Sequence, residues 1–246
     1  MKISIIIPTY NCGEYLEKAI LSVLNQSYEN KELIVIDAES IDNTKEILEK
    51  YSNQLRWISE KDSGQADAIN KGFKMASGEI VAWLNADDYY ETDIFDDVVG
   101  EFKKDKEIVV VYGKCNTVDL DGNLIVKNTP PREITTKKMI NKGNFIYQPA
   151  SFLKKEAVEK VGYLDERLNY WMEYDLFIKL SKIGKLSFID ETLSNFTKRE
   201  DQKSDRKNKK EMNKELYIIS KRYNNKIISK INIKFLINKI LEYVTN

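Results

Sequence analysis

Histidine is absent from this 246-residue sequence, and its absence closes several routes at once. No Ser-His-Asp or Cys-His nucleophile can be assembled, zinc loses its usual nitrogen ligand, and no imidazole can act as base. A general base falls instead to a carboxylate, a lysine or a tyrosine. Cysteine is nearly as scarce: Cys12 and Cys115 stand too far apart for metal-ligand spacing, and a reduced, cytoplasmic chain is the expected setting. Neither sign of charge dominates, with 39 Lys+Arg against 39 Asp+Glu, so no overall field steers the chain toward nucleic acid. No secretory leader is read in Met1-Lys2 and the short apolar run after it. No apolar stretch nears the roughly 20 residues that span a bilayer. The glycine-rich phosphate cradles are missing too, both G-x-G-x-x-G after a strand and G-x-x-x-x-G-K-S/T. A nucleotide bound here is held by other means, and a metal at its diphosphate is the favoured one.

What is present is a βα alternation with enough apolar content, 42%, for a sizeable core. Ile3-Ser4-Ile5-Ile6-Ile7 reads as a buried parallel strand stopped by Pro8. Leu16, Ala19, Ile20, Val23 and Leu24 follow at helical spacing over Glu14 to Asn25. Strands are expected at 32–36, 55–59, 80–84 and 109–112, and helices at 44–51, 66–76, 94–104, 155–161 and 175–183. Asp121-Gly122-Asn123 signals a hairpin turn. The fold class is therefore α/β, a mainly parallel sheet with helices on both faces and a smaller appendage. From Lys198 to Lys214 the chain is very polar and reads as a solvated linker or exposed helix. Ile227, Ile228, Ile231, Phe235, Leu236, Ile240, Leu241 and Val244 then form an apolar stripe among lysines. That stripe fits a helix docked on the domain, on a second subunit in a homodimer, or on an anionic membrane surface at its inner face.

In open α/β sheets ligands bind beyond the carboxyl ends of the strands. Asp37 ends one expected strand, and Asn85, Asp87 and Asp88 follow another, so both groups should face one crevice. Carboxylates crowded there raise one another's pKa, and a hard divalent cation, Mn2+ or Mg2+, would relieve them while sharing its coordination with substrate phosphates. Simpler readings stand beside this one. Asp42 or Asn43 could cap the helix from Thr44, and Asn85 to Asp88 could be a polar turn with helix-capping acids.

These segments resemble the family 2 glycosyltransferases of the GT-A fold. Ile5-Ile6-Ile7-Pro8-Thr9-Tyr10-Asn11 is similar to the family's opening strand and nucleotide-contacting loop. Asp37, Ser40, Asp42 and Thr44 reproduce a D-x-x-S-x-D-x-T pattern whose first acid contacts the nucleotide base in that family. Asp62-Ser63-Gly64-Gln65 and Asp67 to Gly72 resemble the next donor segment, and Gly78 to Asp88 resembles the strand and D-x-D-type metal motif. Tyr147-Gln148-Pro149-Ala150-Ser151-Phe152 looks like a loop that follows this motif, and Gly162 to Glu166 with Tyr174 to Leu180 looks like the acceptor-side segment.

The resemblance implies inverting transfer of one sugar from a nucleotide-diphosphate sugar, UDP-linked first, to a hydroxyl of a glycan or lipid-linked acceptor. Pro8, Thr9, Tyr10, Asn11, Asp37, Asp62, Gly64, Gln65, Asp67, Asn85, Asp87 and Gln148 would line the donor site, and Asp87 and Asp88 would hold the metal. Glu173 is the first choice of base and Asp175 the second, with a helix cap as the other reading of Glu173. Trp171 is either a core aromatic or a platform for a sugar ring. The expected division is a GT-A domain over 1–200, with a donor half 1–113 and an acceptor half 114–200, then a linker and helical tail over 201–246. Three features depart from the pattern. Asn85 replaces the first acid of D-x-D, the base motif Glu-Asp is here Met172-Glu173-Tyr174-Asp175, and no histidine can ligate metal. The Q-x-x-R-W motif of processive synthases is absent, which favours single-sugar transfer. A sugar nucleotidyltransferase, a nucleotide-sugar binder without catalysis and an interaction module built on the tail are the competing readings.

Overall fold

The computed structural model describes residues 1–199 and 208–223. The polar stretch is thus described in part, and the apolar stripe from Ile227 to Val244 lies outside the described residues. Elements alternate in the first half as β1 (Ile3–Thr9), α1 (Gly13–Leu24), β2 (Lys31–Asp37), α2 (Thr44–Lys50), β3 (Arg56–Ser59), α3 (Gln65–Met75) and β4 (Ile80–Trp83). Then come β5 (Tyr89–Tyr90), α4 (Phe95–Lys104), β6 (Ile108–Val118), β7 (Leu124–Asn128), α5 (Thr136–Lys142), β8 (Ser151–Lys154) and α6 (Lys155–Lys160). The last described elements are α7 (Met172–Ser181), β9 (Lys185–Thr197) and α8 (Lys209–Tyr223).

The strands form one sheet in the order β3-β2-β1-β4-β8-β6-β9-β5, with β7 paired to β6. β1 is parallel to β2 and β4, and β2 to β3. β8 is antiparallel to both β4 and β6, so β6 regains the direction of β1, and β9 runs parallel to β6. Six strands therefore end at one edge: β1, β2, β3, β4, β6 and β9.

The apolar runs explain the centre. Every residue of β1 is buried, with Ile3, Ile5 and Ile7 facing one cluster and Ile6 the other. Burying each such side chain contributes roughly 1.5–3 kcal/mol. On the first face, Leu16, Ala19, Ile20 and Val23 of α1 pack with Leu48 of α2 and Phe95, Val98 and Phe102 of α4. On the second, α3 presents Ala66, Ile69 and Phe73, beside most of α7 and Ile219 of α8. Gly72 lets α3 approach β1: a Cβ there would lie 2.4 Å from Ile6 Cγ2.

The hairpin expected at Asp121-Gly122-Asn123 joins β6 to β7, with Gly122 at φ +86°. One element exceeds the sequence expectation: β9 is 13 residues long. α8 takes up the helical reading of the end of the polar stretch and continues beyond it to Tyr223. Among the described residues no helix is long and apolar enough to cross a membrane.

Candidate active site

The common strand edge gathers most of the expected residues. Strand register places Thr9, Asp37 and Ser59 side by side across β1, β2 and β3. Beyond them the loops lock to one another. Asn11, at φ +49°, donates its N–H to Ser40 Oγ (2.8 Å) and accepts from the Ile41 N–H through Oδ1 (2.9 Å). Asp42 accepts from the N–H groups of Gly13 (2.9 Å) and Thr44 (3.1 Å). The D-x-x-S-x-D-x-T spacing thus ties the loop after β2 to the loop after β1, and Asp42 serves the helix start of the simpler reading. Burial opposes the ionised form of Asp42, but these bonds outweigh it and hold the carboxyl below its ordinary value.

Asp37 is fully buried. Its carboxylate accepts from the Ser40 hydroxyl, the Ser40 N–H and the Ser59 hydroxyl (2.6 Å). A nucleotide base reaching Asp37 must displace one of those hydroxyls. Around it, Pro8 and Thr9 are buried while Tyr10 is 60% exposed at the mouth of the crevice.

The α3 start supplies the next wall. Asp62 accepts from the Gly64 N–H (2.9 Å), and Gly64 sits at φ +130°, a conformation that costs glycine little. Asp67 accepts from the Ser63 N–H (2.9 Å) and pairs with Lys71 (3.4 Å). Gln65 reaches across to donate to Asn85 Oδ1 (2.8 Å). Gln148, in the 3-10 turn Gln148–Ala150, donates to the Trp83 carbonyl at the end of β4 (2.7 Å).

Asn85, Ala86, Asp87 and Asp88 form the turn after β4, and its two acids have separate fates. Asp88 is buried, accepting from the Thr197 N–H (3.0 Å) and from Asn85 Nδ2 (3.1 Å). Burial first, then the charge of Asp87, push Asp88 well above the usual carboxylate range. Each of its oxygens thus already accepts one hydrogen bond inside the protein, while Asp87 is the more open of the two acids. Asp87 remains partly open and is paired with Arg199 at 2.9 Å. Arg199 follows β9 and lies over the Tyr15 ring, 4.7 Å from its centroid. Burial and then the Asp87 charge push the nearby Cys12 thiol up. Arg199 belonged to the stretch read as solvated. The sequence held no usable signal for it, because the strand before it, β9, was not read either.

Among the described residues no group of three or more Cys, Asp or Glu converges as a metal cage. The residues present nonetheless fit a hard cation of the kind that keeps one or two carboxylates and takes its other ligands from phosphate and water. Asp87 is the carboxylate of this turn open enough to meet that description, and Asn85 is engaged by Gln65 and Asp88.

The acceptor-side segment closes the crevice. Asn169 stands beside the α3 start, its Oδ1 3.8 Å from where a Gly64 Cβ would be. Gln65 thus joins the α3 start to Asn85 by a hydrogen bond, while Asn169, at the approach to α7, lies near Gly64 without bonding to it. Seven of the ten α7 residues are buried, and Glu173 in its first turn is among the three that are not. Asp175, the second choice of base, is placed differently from Glu173. It is fully buried and held by Arg222 (2.6 Å), Lys179 (2.9 Å) and the Tyr223 hydroxyl (2.7 Å). Trp171 packs at the margin of the second core cluster, edge-on to Tyr174, with its indole N–H on the Met212 carbonyl (2.9 Å). Those contacts fit the core-aromatic reading, with the residue half-buried.

Comparison with known proteins agrees with this architecture. The family model described as glycosyl transferase family 2 matches residues 4–162. The chondroitin synthase of Pasteurella multocida (strain Pm70) is 31% identical over 196 residues, 78% of this chain and 20% of that protein. The chondroitin synthase of Escherichia coli is 32% identical over 200 residues, 78% of this chain and 28% of that protein. The chain thus spans well under half the length of these relatives. Among solved structures, S. aureus TarS 1-349 in complex with UDP-GlcNAc superposes with a TM-score of 0.71 at 21% identity, over 96% of this chain and 72% of that one. The mannosyltransferase PcManGT from Pyrobaculum calidifontis, in complex with GDP-Man and Mn2+, gives 0.63 at 15% identity, over 81% and 58% of the two chains. At such identities the likeness is one of fold, the GT-A type.

Proposed function

The chain belongs to glycosyl transferase family 2, and on that premise we propose that it transfers one sugar, with inversion, from a nucleotide-diphosphate sugar to a hydroxyl of a glycan or lipid-linked acceptor. A UDP-sugar carrying a hexose or N-acetylhexosamine is the proposed donor, and surface polysaccharide or glycoconjugate synthesis at the cytoplasmic side the proposed setting. The observation that supports this reading is the gathering of the loops after β1, β2 and β4 with the α3 start at one strand edge, joined across by the Gln65–Asn85 hydrogen bond (2.8 Å).

Glu173 takes the proton of the acceptor hydroxyl. The freed oxygen bonds to the anomeric carbon from the face opposite the leaving group, the bond from that carbon to the diphosphate oxygen breaks, and the nucleoside diphosphate departs with its electron pair. Asp87 is the residue that would hold Mn2+ or Mg2+, which when bound supplies positive charge to the departing diphosphate. Arg199 adds a second positive charge at the same place. The loops Pro8–Asn11 and Asp37–Thr44 surround the nucleoside, and Asp62 to Asp67 shape the wall between donor and acceptor.

The test is release of nucleoside diphosphate from UDP-, GDP- and dTDP-sugars, with and without Mn2+, by the parent chain and by Asp87→Ala and Glu173→Gln. Both variants should lose 10²-fold or more in kcat/KM, since electrostatic stabilisation and general-base catalysis are each worth that much. UDP should still raise the thermal midpoint of Glu173→Gln, because binding to the native state alone is enough for that. Near-normal turnover of Glu173→Gln would remove the base, and no release from any of the three donors would remove the transferase reading.

A further inference from the structure

The first turn of α7 lacks a side-chain cap of its own, and Trp171 at its N-cap supplies none. The cap comes from α8. Glu215 Oε1 accepts from the Asn169 N–H (2.8 Å), while its Oε2 accepts from the Tyr170 N–H (2.8 Å) and the Trp171 N–H (3.2 Å). One carboxylate thereby gathers three successive backbone donors and sets a negative charge at a helix N-terminus, where it is favoured. One turn earlier, the Met212 carbonyl accepts from Trp171 Nε1. Further along α8, Ile219 is buried in the second core cluster, and Arg222 bridges Asp165 (2.8 Å) and Asp175 (2.6 Å). Met212, Glu215, Ile219 and Arg222 recur at helical spacing, so one face of α8 grips α7 and the loop leading into it. Glu173 lies two residues past the last N–H that Glu215 holds.

From this grip we propose that Glu215, seconded by Arg222, is a positioning residue: α8 fixes where the α7 start, and with it Glu173, stands over the donor crevice. The proposal rests on the reading of Glu173 as base. Glu215 itself touches no reacting atom. Its carboxylate replaces the cap that α7 lacks, and its loss frees the 169–171 loop, and the first helical turn with it, to shift. A shift of about 1 Å at a reacting group is enough to cost on the order of 10²-fold in rate, without disturbing the donor-side loops after β1 and β2.

The experiment uses UDP-GlcNAc with Mn2+ and follows UDP release, water standing in for the acceptor, for Glu215→Gln, Glu173→Gln and the double variant of the full chain. Glu215→Gln is expected to lower kcat at least tenfold with the Kd for UDP within about twofold of the parent. In the Glu173→Gln background the same change is expected to cost less than twofold, because the group it positions is already gone. Arg222→Lys, which keeps one charge but cannot fork between two carboxylates, should lower kcat in the same direction by less. Unchanged kcat in Glu215→Gln overturns the proposal. So does an equal tenfold loss in both backgrounds, or a loss of UDP binding, since either marks a general structural support. Normal release by Glu173→Gln alone is a different result: it removes the base on which the proposal stands, whatever Glu215 does.

Discussion

On the donor side each rim loop is tied to the loop beside it, Asn11 to Ser40 and Ile41, Asp42 to Gly13. On the acceptor side, the approach to α7 is tied to a helix 46 residues further along, through Glu215. The first kind of contact is made by small polar groups reading neighbouring backbone, and it persists as long as two adjacent strands stay in register. The second depends on charged side chains from a remote helix, so its strength follows how well those charges are paired and how little solvent reaches them. The donor side is built for invariant shape, and the acceptor side is held by a separable part.

The largest effect that would sharpen this contrast is expected at Arg222. Removing it by Arg222→Ala leaves Asp175, fully buried, with Lys179 and a tyrosine hydroxyl. Breaking such a pair from one side should cost about 3 kcal/mol, read as a lower midpoint in denaturant. Arg167 bonds the same Asp165, but its side chain is 82% exposed, and Arg167→Ala should change stability little. The hydrogen bond from Arg167 first, and that from Arg222 with it, hold the Asp165 carboxyl well below the usual range. Equal costs for the two substitutions would mean that burial of Asp175 is not what makes α8 matter.

A smaller effect tests the donor side. In Gly72→Ala the new methyl meets Ile6 Cγ2 at 2.4 Å and Cγ1 at 2.6 Å, on a strand buried on both faces. Overpacking of this kind costs roughly 1–3 kcal/mol, and the better helix propensity of alanine returns up to about 1. A net loss of about 1–2 kcal/mol in equilibrium unfolding is expected, with the spacing of the two carboxylate turns around β1 disturbed and donor affinity lowered. If Gly72→Ala instead left donor affinity intact while lowering stability, the donor rim would be less rigidly coupled to α3 packing than its hydrogen bonds imply.

The same contrast explains what could be read in advance. β1, β2 and β4 are flanked on both faces, so they appear as apolar runs, and α1 and α3 show one apolar stripe each. The loops after β1 and β2 were legible because their partners sit at short, fixed spacings. β9 was not, because its polar residues are spent in pairs: Ser187 with Glu101, and Asp190 with Lys114 and Arg132. α8 was legible only in part: a helix was one reading of the polar stretch up to Lys214, but nothing in the sequence showed the partners of Glu215 and Arg222 beyond it. The burial of Asp88 and Asp175 was hidden for the opposite reason. A carboxylate next to a motif is taken as open to solvent, and both are buried with their oxygens already used. Arg199 needed the strand direction of β9 to be seen at the edge beside Asp87.

The smallest effect tests whether charge networks belong to the acceptor side alone. Glu32 lies on β2 at the opposite edge of the sheet, bonded by the Ser4 hydroxyl (2.5 Å), the Ser77 N–H (2.7 Å) and the Lys2 ammonium (3.1 Å). Burial alone would push this carboxyl up, but those donors outweigh it and hold it at about 2 against an ordinary 4.5. A carboxyl depressed on folding contributes stability that is fully present above its unfolded value and is lost as pH falls toward its folded value. Glu32→Gln should therefore cost about 1 kcal/mol at neutral pH, the usual scale for charged hydrogen bonds partly screened by solvent. The gap between parent and variant should stay constant above pH 4.5 and narrow steadily as pH falls toward 2. Urea midpoints measured from pH 7 down to 3 would follow it. A cost rivalling that of Arg222→Ala would show the donor half to be as dependent on ion pairing as α8, and the division between a shape-locked rim and a charge-held helix would have to be given up.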